Sequence, residues 1–143
     1  MKGISMLKLL PPLAVLMIVA GCATTATPEQ QQARQDKFEA DLAKALKGRT
    51  PAGDPRSCIN MRDIRSTKIV RPSTVIYEMG GDLAYRNDFG GSCVGLSDTD
   101  TMITRTPTNQ LCRGDIVRIA DLSAGFQSGS CVFGDFVPYR KAK

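Results

Sequence analysis

"STVIYEMGGDLAYRND", residues 73–88, is the stretch whose reading decides the fold. Two runs with apolar residues at alternate places flank Gly80 and Gly81, the pattern of two antiparallel strands joined by a tight turn. The register follows from which side chains each loop length brings together. A two-residue Gly-Gly loop sets Tyr77 opposite Ala84 and Val75 opposite Arg86, which mixes both faces. A three-residue loop, Gly80-Gly81-Asp82, sets Met79 against Leu83 and Tyr77 against Tyr85. It gathers Val75, Tyr77, Met79, Leu83 and Tyr85 on one face, which is the predicted core.

The same period-two pattern continues on both sides. Strands are expected at 64–71, 101–106, 115–121 and 131–137, with Val117 and Ile119 pointing the same way, and Gly, Asn, Ser and Asp clusters between them. Every Phe and Tyr except Phe38 falls after residue 70. No alternation of strand and helix appears, which argues against a parallel sheet. The expected fold class is mainly β: a small antiparallel sheet curling into a barrel or a sandwich.

Upstream the period changes. Residues 27–47, "TPEQQQARQDKFEADLAKALK", read as one amphipathic helix with Thr27 as cap, Pro28 in the first turn and Gly48 just past the end. Phe38, Leu42 and Leu46 recur every four residues and Ala45 widens the strip. The strip is read either as the face that lies on the β domain or as a contact for a partner or a second copy. Residues 48–56, with two Gly and two Pro, read as a linker, and the β domain is expected over 57–140.

Residues 1–21 combine Lys2 and Lys8 with an apolar run interrupted by Pro11 and Pro12, a secretory signal rather than a membrane span. Val19-Ala20-Gly21-Cys22 resembles the lipobox of bacterial lipoproteins, which implies acylation, palmitate included, of Cys22 and a short lipidated tether over 22–26. Ala23 and Thr24 stand where an Asp would mark inner-membrane retention, so the resemblance implies the outer membrane, with the domain facing the periplasm. Several acyl chains hold stably where one does not.

Loss of the leader removes Lys2 and Lys8 and leaves 17 basic residues against 14 acidic ones. That small excess is dispersed, so neither a nucleic-acid partner nor a polybasic membrane patch is expected. Histidine is absent. Ser-His-Asp and Cys-His nucleophiles, His-containing zinc sites and His proton shuttles are therefore excluded.

Cys58, Cys93, Cys112 and Cys131 remain, an even number for an oxidising compartment, and the reading is two disulfides. The gaps of 34, 18 and 18 residues fit neither a close-paired zinc site nor a redox motif. Four cysteines allow three pairings. The nested one, Cys58 with Cys131 and Cys93 with Cys112, is the expectation, because its outer bridge would tie the ends of the domain together.

Cys58-Ile59, residues 63–67 "DIRST", "YRNDF", Cys93-Val94-Gly95-Leu96, Leu111-Cys112-Arg113-Gly114-Asp115 and Cys131 before Phe136 together resemble a family of short bacterial lipoproteins with one Cys-containing domain of unknown function. The resemblance spans about residues 57–138 and implies the layout, with no catalytic residue, ligand or cofactor to carry over.

Two polar clusters are the candidate surfaces: Asp63, Arg65, Ser66, Thr67 and Lys68, of which Asp63, Arg65 and Thr67 would share a strand face, and Arg86, Asn87 and Asp88. Both also fit a solvated sheet. Asp98 and Asp100 lack the later ligands of a calcium loop and read as turn residues. Arg113-Gly114-Asp115 reads as a turn in which Gly114 supplies the conformation and Arg113 is replaceable. The expected function is a non-enzymatic structural or interaction module of the cell envelope, partnered by the membrane through Cys22 and by an envelope protein or the cell wall. It needs no cofactor. The alternative is a periplasmic ligand-binding or enzyme-inhibitor module.

Overall fold

A computed structural model describes residues 26–90, 93 and 96–142. The expected leader, Cys22 and all of the tether except Ala26 lie outside the described residues, as do Val94 and Gly95 of the C-x-G-L motif.

Helix α1 spans Pro28–Leu46 and is closed at both ends by its own residues. Thr27 Oγ1 accepts from Gln30 N at 3.3 Å while Gln30 Oε1 accepts from Thr27 N at 3.1 Å, a reciprocal capping box. Lys47 turns left-handed at φ 50°, its N–H reaching Ala43 O. The strip Leu42, Ala45 and Leu46 is buried against Val70, Ile76, Ala84 and Tyr139, with Phe38 packed at its margin. Of the two readings of the strip, the structure takes the intramolecular one. Each buried leucine contributes about 2 kcal/mol by area.

The strands are β1 (Arg49–Pro51), β2 (Cys58–Asn60), β3 (Ile64–Val70), β4 (Thr74–Met79), β5 (Leu83–Asp88), β6 (Thr101–Thr104), β7 (Gln110–Cys112), β8 (Ile116–Asp121), β9 (Phe126–Val132) and β10 (Phe136–Lys141). They form three antiparallel sheets: β1-β10-β5-β4-β3, β2-β7 and β6-β8-β9. The sheets do not close into a barrel, and the packing is sandwich-like. The β4–β5 register is the three-residue-loop one, with Tyr77 opposite Tyr85 and Glu78 opposite Ala84. Val75, Tyr77, Met79 and Tyr85 enter the main core, and Leu83 packs against it. Val117 and Ile119 join them from β8.

Aromatic rings knit this core. Phe133 lies 5.3 Å from Phe89 and 5.6 Å from Phe136, and Tyr77 lies 6.0 Å from Phe136.

Three expectations are corrected. The linker stretch contains β1, and beyond it Ala52 N and Arg56 N donate to Pro138 O and Phe136 O, each at 2.9 Å, so the chain is strapped along β10 from residue 49 onward. The single strand expected at 131–137 is the end of β9 and the start of β10, with a crossover between sheets at 133–135. Asn87, fully buried, makes that break: its Nδ2 donates to Gly134 O at 2.8 Å and its Oδ1 accepts from Gly134 N at 3.2 Å. A Cβ at Gly134 would run into the carbonyl of Asp88. The disulfides join Cys58 to Cys112 and Cys93 to Cys131. Cys58 sits directly opposite Cys112 across β2–β7, and the Gly90–Val132 bridge brings the segment before Cys93 to Cys131. The β1–β10 pairing closes the ends of the domain, the role the nested outer bridge was given.

Candidate functional site

At one end of the sandwich, where β4 turns into β5 and β10 finishes, the main core opens into a cleft of about 480 Å³. Its floor continues the core face: Ile59, Met79, Leu83 and Tyr85. Its rim is polar, with Arg56, Arg65 and Arg140 joined by Asp63, Asn60 and Gln110.

Each arginine is placed by a different local cause. Arg56 is held by a pair of backbone hydrogen bonds with Phe136, both 2.9 Å. Arg140 falls on the core-facing side of β10 because Phe136, Pro138 and Arg140 alternate, with Arg140 opposite Leu83. Arg65 is the extra residue of a β-bulge, since Ile64 pairs with Met79 and Ser66 already pairs with Glu78. Among the described residues none of the three guanidiniums has an ion-pair partner within 4.0 Å.

The bulge also divides the first expected polar cluster. Asp63 lies in a 3-10 turn, Met61–Asp63, and Arg65 is re-aimed, so Asp63, Arg65 and Thr67 do not share one face. Asp63 and Arg65 line the cleft, and Thr67 lines another one. Ser66 and Lys68 instead converge on Glu78, donating at 2.6 Å each, with Arg49 3.6 Å away. The Lys68 and Ser66 hydrogen bonds pull the Glu78 carboxyl down to about 2.

The second expected cluster is also dispersed. Arg86 lies over the Phe38 ring at 6.0 Å and pairs with Asp88 at 3.0 Å, while Asn87 points inward as the crossover clamp. Asp98 and Asp100 are turn residues as expected, Asp100 accepting from Ser97 N at 2.8 Å. They border a second cleft of about 740 Å³ between α1 and β3. Its charges are in part spent internally, Lys37 on Asp41, Arg71 on Asp98 and Lys68 on Glu78.

Residues 112–115 form the expected turn. Gly114 has φ 91°, Asp115 N donates to Cys112 O at 3.0 Å, and the Asp115 carboxylate accepts from Cys112 N at 2.9 Å. The Arg113 side chain reaches the exposed Asp135.

A second surface was not anticipated. On the outer face of β6-β8-β9, Ile103 lies opposite Arg118 and Arg118 opposite Ser130, while Ile116 lies opposite Val132. Ile116 is 62% exposed, and Leu122 and Phe126 at the hairpin tip are 69% and 59% exposed. The tip itself is ordered by Asp121, whose carboxylate accepts from Ser123 and Ala124 and is lowered by the Ser123 hydroxyl above all.

Chemically, the cleft offers cations that bind and orient an anion. Among the described residues no group of three or more Cys, Asp or Glu is placed to hold a metal, and no helix is long and apolar enough to cross a membrane. Comparison with protein-family models, with curated proteins and with solved structures returned no match.

Proposed function

We propose that the protein is a lipid-anchored lipoprotein of the outer membrane, a member of the uncharacterised lipoprotein family its motifs resemble, whose periplasmic domain works by docking another envelope protein. The observation that carries this reading is the outer face of β6-β8-β9. A chain of this size that buries two hydrophobic cores still leaves Ile103, Ile116, Leu122, Phe126 and Val132 in water. Ile103, Ile116 and Val132 flank Arg118 on that face and Leu122 and Phe126 stand at the hairpin tip, exposed apolar side chains of the kind that mark an interaction surface. Arg118, in the middle of the face and without a carboxylate partner among the described residues, favours a partner surface that is apolar with an acidic group. The lipobox-like Cys22 would hold the domain at the membrane, where such a partner is encountered repeatedly.

Site-specific photo-crosslinking in intact cells tests this. A crosslinker at position 116 or 122 is expected to give a discrete adduct that a crosslinker at exposed Gln32 does not give, and Cys22→Ser should weaken it. No adduct from either sheet position, or the same adduct from position 32, would refute the reading. The alternative of a ligand-binding module draws on a separate feature, the arginine-rimmed cleft.

A further inference from the structure

We infer that the cleft at the open end of the sandwich is a binding site for a small organic oxyanion, its carboxylate or phosphate held by Arg56, Arg65 and Arg140 and its carbon body lying over Met79, Leu83 and Tyr85. The inference is independent of the docking face, which lies on another sheet.

Four observations converge. The cleft lies over the edge of the main core, with half-buried Leu83 beside the buried Ile59, Met79 and Tyr85 at its floor. Its volume, about 480 Å³, is that of a small-molecule site. Its rim sets three guanidiniums against the single carboxylate of Asp63. No ion pair within 4.0 Å consumes any of the three among the described residues, in contrast to the second cleft, where Asp41 and Asp98 hold Lys37 and Arg71.

The backbone supports the same arrangement. The bulge at Arg65 breaks the alternation of β3 at the residue that faces the cleft, a device that re-aims one side chain without moving its neighbours. Arg56 is fixed by its two hydrogen bonds to Phe136, and its neighbour Cys58 is bridged to Cys112. All three cations therefore stand on backbone held by strand pairing, which leaves side-chain order alone to be gained on binding. Guanidinium forks match the planar geometry of carboxylate and phosphate, and Asn60 and Gln110 can serve hydroxyl or amide groups on the same ligand.

The test uses the full mature chain as its Cys22→Ser form, disulfides intact, with arginine Nε–Hε groups observed by NMR. Glutarate and citrate probe the carboxylate source, and glycerol 3-phosphate probes the phosphate source; sodium chloride at matched ionic strength is the control. Saturable shifts at Arg56, Arg65 and Arg140, with Arg118 unmoved, are expected from at least one organic probe, and the tighter of the two names the source. Arg65→Gln and Arg140→Gln should each weaken that binding about tenfold, the loss expected for one charge-assisted hydrogen bond. Both positions are exposed, so melting should be unchanged. Shifts that never saturate, that sodium chloride reproduces, or that survive both substitutions would overturn the site.

Discussion

The five-stranded sheet and the three-stranded sheet are built from the same kind of sequence, yet they end in opposite situations. β4 is buried along both faces, because the main core takes Val75 and Tyr77 while α1 takes Ile76. On β8, Val117 and Ile119 are inward while Ile116 and Arg118 stand in water. Helix α1 covers a single sheet face, and it covers the sheet that also binds both ends of the domain. An apolar residue therefore stabilises the fold in the first sheet and is available for recognition on the outer face of the second.

The largest break in that comparison should come from the residues that join the sheets. Phe136→Ala, at a fully buried ring that touches both halves of the core, is expected to cost about 3–5 kcal/mol in denaturant melts. Asn87→Leu removes the clamp on Gly134 and leaves its backbone groups unpaired, at about 2–3 kcal/mol by the same measurement. The turn that carries the chain from β7 to β8 comes next. Gly114→Val forces a branched residue to φ 91° and should cost about 1–3 kcal/mol, whereas Arg113→Gln should stay within about 0.5 kcal/mol. If Arg113→Gln proved the more damaging, the turn would be misread.

Glu78 gives a pH handle on the first sheet alone. Its carboxyl is held at about 2 when folded, below its ordinary value of 4.5, so it favours the native state at neutral pH and that contribution fades as pH falls from about 5 toward 2. Glu78→Gln should flatten the acid limb of a stability-against-pH curve without altering its neutral-to-alkaline shape. The smallest effect on stability sharpens the comparison most. Ile116→Ser and Phe126→Ser are expected within about 0.5 kcal/mol of the parent in melts while abolishing the envelope crosslink.

The sequence made one half of this contrast readable. Alternation around Gly80-Gly81 yields the hairpin, its register and the main core face, since a one-residue slip would scatter Tyr77 and Tyr85 to opposite sides. Thr27, Pro28 and Gly48 bracket the helix. What was not readable depends on chain segments far apart in sequence. Three-residue strands such as β2 and β7 carry too few residues to show a period, and they pair across the disulfide Cys58–Cys112. The crossover at 133–135 carries only the brief local cue Gly134-Asp135, and the side chain that clamps it is Asn87, nearly fifty residues upstream. The cleft was half legible: Asp63 and Arg65 stood out locally, but Arg56 lay in a supposed linker and Arg140 at the end of the predicted domain. The outer face of β8 follows from the same alternation that sent Val117 inward, and reading it required asking where Ile116 then goes.

The two bridges interleave along the chain: Cys93 falls inside the loop closed by Cys58–Cys112, and Cys112 inside the loop closed by Cys93–Cys131. A single peptide-bond cut anywhere from residue 59 to residue 130 therefore leaves its two fragments covalently joined, and a cut between Cys93 and Cys112 leaves them joined twice. A protease that nicks the chain once within that span cannot release a piece of it, so the nicked and intact chains run together on a gel until a reductant separates them.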